Sequence, residues 1–161
     1  MNYQVMETPL GPLMVAESER GLARIAFTQA DDPIQPEAHW RRGELRSPAV
    51  AQLEEYFAGQ RQTFELDLDP VGSAFALEVW RCLVEIPYGD TWSYGQLARR
   101  LGRPKASRAV GAANGRNPLP VVVPCHRVIG ADGSLTGYAG GLRFKKGLLE
   151  LEQATLRPLL L

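Results

Sequence analysis

Cysteine is scarce in this 161-residue chain: only Cys82 and Cys125 occur. A disulfide framework is therefore not indicated, and a reduced, cytoplasmic setting is expected. No apolar run approaches the ~20 residues that a membrane-spanning helix needs, so no membrane partner is expected. The start, Met1-Asn2-Tyr3-Gln4-Val5, has no basic region followed by an apolar core, which argues against secretion. Net charge is also lacking, with 18 Lys and Arg against 18 Asp and Glu. That zero joins unlike halves. Residues 1–69 carry six basic and twelve acidic side chains, and residues 70–161 carry twelve and six. Such a split suits a polyanion that meets only the second half, and it equally suits surface patterning for solubility. With 45% hydrophobic residues the chain can bury a core, as one domain or two small ones.

Along the first half, Tyr3 to Glu7, Leu13 to Ser18 and Leu22 to Phe27 alternate in part. They are separated by Thr8-Pro9-Leu10-Gly11-Pro12 and Glu19-Arg20-Gly21, a pattern that predicts an antiparallel meander. Asp31 to Arg46 is expected to be a loop. Ser47 then caps a helix with Pro48 at its first position, an apolar stripe of Val50, Leu53 and Phe57, and Gly59 at its end. No motif here carries chemistry, and a scaffold role is expected. Gln60 to Gly72 is predicted as a strand and a linker, with a domain boundary near Pro70. Ser73 caps a second helix whose stripe is Phe75, Val79, Cys82 and Leu83, placing Cys82 in core packing.

Thr91 to Asn117 has the pattern of a helix-turn-helix. Ser93 caps a helix carrying Leu97, Ala98 and Leu101, Gly102-Arg103-Pro104 breaks it, and Lys105 to Asn114 forms a second, short helix. An αα-hairpin in a core would have the same pattern. The second helix is built from small residues, including Ala109, Gly111 and Ala112. Major-groove readers carry long polar side chains. A helix of small residues can instead bring its backbone close to a narrow groove, with Lys105, Arg108 and Arg116 neutralising phosphates.

The chain is organised around Asn117-Pro118-Leu119-Pro120-Val121-Val122-Val123-Pro124-Cys125-His126-Arg127-Val128. The prolines stiffen the approach to Cys125, Val121 to Val123 is expected to be a buried extended segment, and the chain should turn at Cys125. A thiol beside an imidazole can be a positioned nucleophile or ordinary packing. A free thiol has a pKa of about 8.5, so attack needs a base to remove its proton. His126 can do so, directly or through a water. On the predicted helix from Leu142 to Gln153, Leu148, Leu149 and Glu152 share a face. A carboxylate there needs a partner, and His126 is the candidate. The loop from Ile129 to Leu142, rich in glycine and carrying Tyr138, can wrap closely around a ligand.

The run Pro124-Cys125-His126-Arg127-Val128, with Asn117-Pro118 before it, resembles the signature of the O6-alkylguanine-DNA alkyltransferases, or methylated-DNA–protein-cysteine methyltransferases, of the bacterial type. The resemblance extends through Tyr88-Gly89, Ser93-Tyr94, Arg108-Ala109-Val110-Gly111 and Gly137-Tyr138-Ala139-Gly140-Gly141 to Glu152. It implies a two-domain α/β fold. Residues 1–70 would form an RNase H-like scaffold of small antiparallel sheet plus helix. Residues 71–161 would form a mostly helical, winged-helix-like domain with a helix-turn-helix. It further implies repair of DNA by single-turnover transfer of an alkyl group from O6-alkylguanine, and potentially from O4-alkylthymine, to Cys125. The resulting thioether could not be hydrolysed, so the protein would be consumed.

By the same resemblance His126 and Glu152 activate Cys125, Asn117 braces the turn and Tyr94 assists the leaving guanine. Arg108 would fill the gap left by a flipped base as the second helix docks in the minor groove of double-stranded DNA. Pro120 and Tyr138 would wall the pocket, and backbone groups at Cys125, Val128 and Ala139 would hydrogen-bond the base. Many relatives carry serine at the position of Ala139. Some carry an N-terminal zinc site, but residues 1–69 hold no cysteine and only His39, so no metal and no cofactor are expected. A monomer is expected, with cooperativity on DNA left open. Three other classes compete: a damage sensor that flips bases without transfer, whose relatives lack the cysteine; a Cys-His hydrolase; and a transcription factor.

Overall fold

The computed structural model describes residues 1–31, 33–136, 138 and 141–157. The alternating segments form strands β1 (Asn2–Met6), β2 (Leu13–Glu17) and β3 (Leu22–Phe27) of an antiparallel meander. Val15 of the central strand faces Gln4 on one side and Ile25 on the other. The hairpins close where expected, with Gly11 N donating to Thr8 O at 2.9 Å and Ser18 N to Gly21 O at 2.9 Å. One strand lies within the segment expected to be only loop. Arg41–Arg42, β4, pairs parallel with β1, giving the order β3-β2-β1-β4. Two exposed arginines carry no alternation, so the sequence gives no signal for this edge.

Helix α1 spans Ala49–Phe57, and Gly59 ends it with φ at +74°. Pro48 occupies the cap position itself, while Ser47 Oγ accepts from Ala49 N at 3.3 Å. Its buried face is Leu53, Tyr56 and Phe57 with Gln52, whereas Val50 is half-buried. Gln52 explains why 60–72 is not the predicted strand. Its amide donates to Glu65 O at 3.1 Å and accepts from Glu65 N at 2.9 Å, supplying what a sheet neighbour would. Only an isolated parallel bridge, Leu22 to Leu68, ties this segment to the meander.

Ser73 caps α2 (Ala74–Leu83) by accepting from Ala76 N. Cys82 sits on its buried face, and burial pushes that thiol up to about 11. The helix-turn-helix forms from α3 (Tyr94–Arg100) and α4 (Ser107–Gly115). A reciprocal pair of bonds between Ser93 and Gln96 starts α3, and Gly102 at φ +72° allows the chain to turn after it. Trp80 Nε1 donates to Ala113 O at 2.8 Å, fastening α2 to α4. Strand β5 (Trp92–Ser93) pairs parallel with β6 (Val128–Ile129), just after the Cys-His pair. The last helix, α5 (Leu142–Leu156), stacks Phe144 on Phe27 of β3 with ring centroids 4.1 Å apart. The fold is thus an α/β pair of units, an N-terminal sheet with one helix and a C-terminal helical unit. Among the described residues no helix is long and apolar enough to cross a membrane.

Glu17 ties the sheet to α1. It is 3% exposed and accepts from Arg46 N at 2.6 Å and Ser47 N at 3.1 Å. Glu17→Ala strips both donors of their partner and should lower unfolding free energy by roughly 2 kcal/mol. Urea titration should show this as a lower midpoint at unchanged slope.

Candidate active site

The segment before the thiol differs from the extended run predicted. Val121–Val123 is buried but lies in consecutive turns, and Val121 has φ +76°. Pro118, Pro120 and Pro124 have no N–H to offer a neighbouring strand. The segment instead closes on itself. Val123 N donates to Leu119 O at 2.8 Å, while Asn117 Nδ2 donates to Val123 O at 2.8 Å and Asn117 Oδ1 accepts from Leu119 N at 2.9 Å. β3 holds it from outside, with Ile25 N donating to Pro118 O at 2.9 Å. Cys125–Arg127 then makes one 3-10 turn.

That turn delivers His126 to α5. The ring is fully buried, and its Nε2 lies 2.6 Å from Glu152 Oε2. An ionised carboxylate can only accept, so Nε2 carries the hydrogen and Nδ1 presents a lone pair. Nδ1 is buried without a partner among the described residues. Burial lowers the His126 pKa and outweighs the opposing pull of Glu152, so the ring is neutral at rest. Burial pushes the Glu152 carboxyl up, but hydrogen bonds from His126 and Arg127 overcome it and hold the group well below the usual carboxylate range.

Three partners of Glu152 lie outside the sequence expectation. Arg127 donates from Nε to Oε1 at 2.9 Å and from Nη2 to Oε2 at 3.0 Å. Tyr56 of α1 donates its hydroxyl to Oε2 at 2.7 Å, and Gly89 N donates to Oε1 at 3.0 Å. Tyr56 corrects the view that the N-terminal half carries nothing of the site.

Cys125 is 4% exposed and lines a cleft of about 170 Å³ between β3 and the end of α4. Arg24, Asn114, Asn117, Pro120 and Tyr138 are among its walls. Burial pushes the thiol up to about 11, opposed by hydrogen bonding from Asn117 and the charge of Lys145. The resting sulfur is therefore a thiol, and its ionisation must accompany reaction. Lys145 was not singled out in the sequence. It is buried on α5, donates to Thr136 O at 2.7 Å, and burial lowers its pKa. A lysine at the fourth position of a helix of mixed charge gives no signal of facing inward.

The other expected site residues separate into groups. Pro120 and Tyr138 wall the cleft as expected. Val128 is fully buried and does not line it. Ala139 lies outside the described residues. Tyr94 stands away from the cleft lining and donates its hydroxyl to Thr136 O at 3.1 Å. Gly111 lies against the Tyr94 ring, where an added Cβ would come within 3.4 Å. Lys105, Arg108, Ala109, Ala112 and Arg116 are exposed around α4, while Val110, Ala113 and Asn114 face inward.

Residues 1–70 match the family described as 6-O-methylguanine DNA methyltransferase, ribonuclease-like domain, and residues 74–154 match its DNA binding domain. A methylated-DNA–protein-cysteine methyltransferase of Methanosarcina acetivorans is 49% identical over 94% of this chain and 98% of its own length. The constitutive enzyme of that name from Bacillus subtilis is 45% identical over 96% and 97%. A crystal structure of Mycobacterium tuberculosis OGT in complex with DNA superposes with a TM-score of 0.88. It shares 44% identity and covers 96% of this chain and 94% of that one.

Two measurements test the electrostatics. Glu152→Gln leaves Arg127 buried without its counter-charge and should cost about 3–5 kcal/mol of stability. Because the folded-state pKa of Glu152 is depressed, its contribution is complete above the unfolded value of about 4.3 and fades as pH falls through the folded one. Wild-type stability should therefore fall below about pH 4, and the variant should show a shallower fall in pH-dependent melting. Separately, iodoacetamide labelling of Cys125, read on its peptide by mass, should be slow at neutral pH and rise towards about pH 11. Lys145→Met should move that rise higher, since the lysine charge favours the thiolate.

Proposed function

The chain belongs to the 6-O-methylguanine DNA methyltransferase family, a family of DNA-repair proteins that act by single-turnover transfer to a cysteine, and from that premise we propose that Cys125 is the residue alkylated and consumed. The observation that carries this assignment is a thiol set in a cleft and followed in the same 3-10 turn by His126, whose tautomer Glu152 fixes and whose Nδ1 has no partner among the described residues. Nδ1 takes the thiol proton, directly or through a water, and Glu152 stabilises the imidazolium that results. The thiolate attacks the alkyl carbon. A carbon–sulfur bond forms, the carbon–O6 bond breaks, and its electron pair leaves on guanine. Tyr94 offers its hydroxyl to that departing charge, exchanging the Thr136 carbonyl for the base. The product is a thioether, and no group in the site can hydrolyse it.

The target carbon lies inside the base stack, so the nucleotide must be everted at a cost of a few kcal/mol. The exposed face of α4 suits this task. Ala109 and Ala112 permit close approach to a minor groove, Lys105, Arg108 and Arg116 neutralise phosphates, and Arg108 fills the vacated space. Pro120 and Tyr138 flank the everted base, and backbone groups of Cys125, Val128 and Ala139 hydrogen-bond it. Asn117 holds the turn that presents the sulfur. The protein acts as a monomer in the reducing cytoplasm, a setting supported by its two free thiols.

Mixing with excess duplex that contains O6-methylguanine should add one methyl group per protein, seen as about one methylene of added intact mass. The gain should vanish in Cys125→Ala. More than one methyl per protein, or a methylated Cys125→Ala, would remove the assignment.

A further inference from the structure

Glu152 meets more donors than it has lone pairs. Its two oxygens offer about four lone-pair sites. Arg127 Nε at 2.9 Å and Gly89 N at 3.0 Å donate to Oε1. His126 Nε2 at 2.6 Å, Tyr56 Oη at 2.7 Å and Arg127 Nη2 at 3.0 Å converge on Oε2. Hydroxyl and imidazole thus share one oxygen. The Tyr56 ring is fully buried and packs against Phe57, Phe64 and Tyr88, with centroids 5.2, 5.7 and 6.1 Å apart. Burial and the neighbouring Glu152 carboxylate push its hydroxyl well above the ordinary phenol pKa, so it stays a donor across the neutral range. A phenylalanine would fill the same space, leave four donors for about four sites and bury no extra polar atom, so the hydroxyl itself calls for an explanation.

We propose that Tyr56 is a positioning residue that restrains the nucleophile, drawing on the Oε2 charge that would otherwise steady the His126 imidazolium and so keeping the proton on Cys125. That role rests on the reading of Cys125 as the residue alkylated. When the thiol proton passes to Nδ1, the ring becomes a cation whose Nε2–H leans on Oε2. A carboxylate oxygen that also accepts from a neutral phenol offers that cation less charge. With the hydroxyl gone the lone pairs stay filled, but the charge is less spread and the imidazolium is favoured. The groups that bear on His126 and Glu152 are Lys145 from α5, Arg127 and Cys125 from the 3-10 turn, Tyr56 from α1 and Tyr88 after α2, and Tyr56→Phe alters only one of them. The N-terminal unit thus sets the reactivity of a sulfur carried by the other unit, through one hydroxyl.

Tyr56→Phe in the full chain keeps the ring and deletes only the hydroxyl. His39 and His126 are the two histidines of the chain, so comparison with His39→Gln identifies the Nε2–H resonance of His126 in NMR spectra. That resonance should move downfield in Tyr56→Phe, as a tighter bond to Oε2 requires. Iodoacetamide labelling of Cys125 should rise at lower pH than in the wild type. At neutral pH it should run about threefold or more faster, a fraction of what a hydrogen bond to a charged group is worth. Cys82, buried on α2, is read in the same digest and should label no faster than before. Methyl transfer from duplex O6-methylguanine should be no slower than in the wild type. A resonance that stays put or moves upfield, Cys125 labelling that is unchanged or slower, or slower methyl transfer would each overturn the proposal. So would equal gains at Cys125 and Cys82, the pattern of general loosening that Glu17→Ala should show. Absence of methyl transfer by wild type and variant alike would instead overturn the proposed function, while the resonance and the labelling still decide whether Tyr56 weakens the hold of Glu152 on His126.

Discussion

A carboxylate with no exposure to water stays ionised only if surrounding donors replace its lost hydration. Glu152 meets that condition by accepting from Arg127 twice, and from His126, Tyr56 and the Gly89 amide. These donors come from α1, the turn after α2, the 3-10 turn and, through Glu152 itself, α5. The group that orients the imidazole is therefore also the knot joining four segments of the chain. Arg127 extends it further, donating to Ile86 O at 2.8 Å and lying over the Tyr88 ring. Removing any one donor leaves part of a buried charge unanswered, so stability and chemistry are coupled through this carboxylate.

The charges around the sulfur form a definite resting state. Glu152 is ionised and matched by Arg127, His126 is neutral, and Cys125 is protonated. Burial drives both the low imidazole pKa and the high thiol pKa, and each shift favours the uncharged pair over the ion pair. The sulfur is thus not poised as a thiolate, and its proton must be removed for attack. A protein that can use its sulfur once gains from that arrangement, because a protonated, enclosed thiol resists stray oxidants and alkylating agents. The imidazole lone pair keeps the route to ionisation open. The charge of Lys145 favours the thiolate but does not outweigh burial.

What could be read from sequence follows the range of the interaction. The Cys125–His126 pair is local, and Glu152 betrays itself as an acid on an apolar helical face, so their meeting was legible. The helix-turn-helix was equally plain, because Ser93, Gln96 and Gly102 act within a few residues. Tyr56, Arg127 and Gly89 were not legible as partners of Glu152, since an ordinary core tyrosine, a basic residue in a basic half and a turn glycine have the same local pattern. Val121–Val123 misled for a different reason. Its β-branched residues favour strands, but three prolines deny the ladder its donors, and Asn117 offers the backbone a tighter alternative. The result is a valine at positive φ, a conformation maintained because both ends of the segment are fastened.

The acidic first half takes a different meaning from the cleft. β3 contributes Arg24, Ile25, Ala26 and Phe27 to the wall facing Cys125, and Ile25 N grips the turn that carries the sulfur. The N-terminal sheet is thus one jaw of the pocket, and the end of α4 is the other. α4 exposes its basic and small residues outward while Asn114, on its inner side, contacts the Cys125 carbonyl. In the proposed reading one short helix faces DNA on one side and the nucleophile on the other. Its composition follows from this double duty. The small residues outside would allow the proposed approach to a duplex, Gly111 lies against the Tyr94 ring, and a single buried amide inside reaches the Cys125 carbonyl. A Cβ at Gly111 would just touch the Tyr94 ring, at 3.4 Å, so only a side chain longer than a methyl group would press on it, and the smallness of this helix also suits its packing against Tyr94.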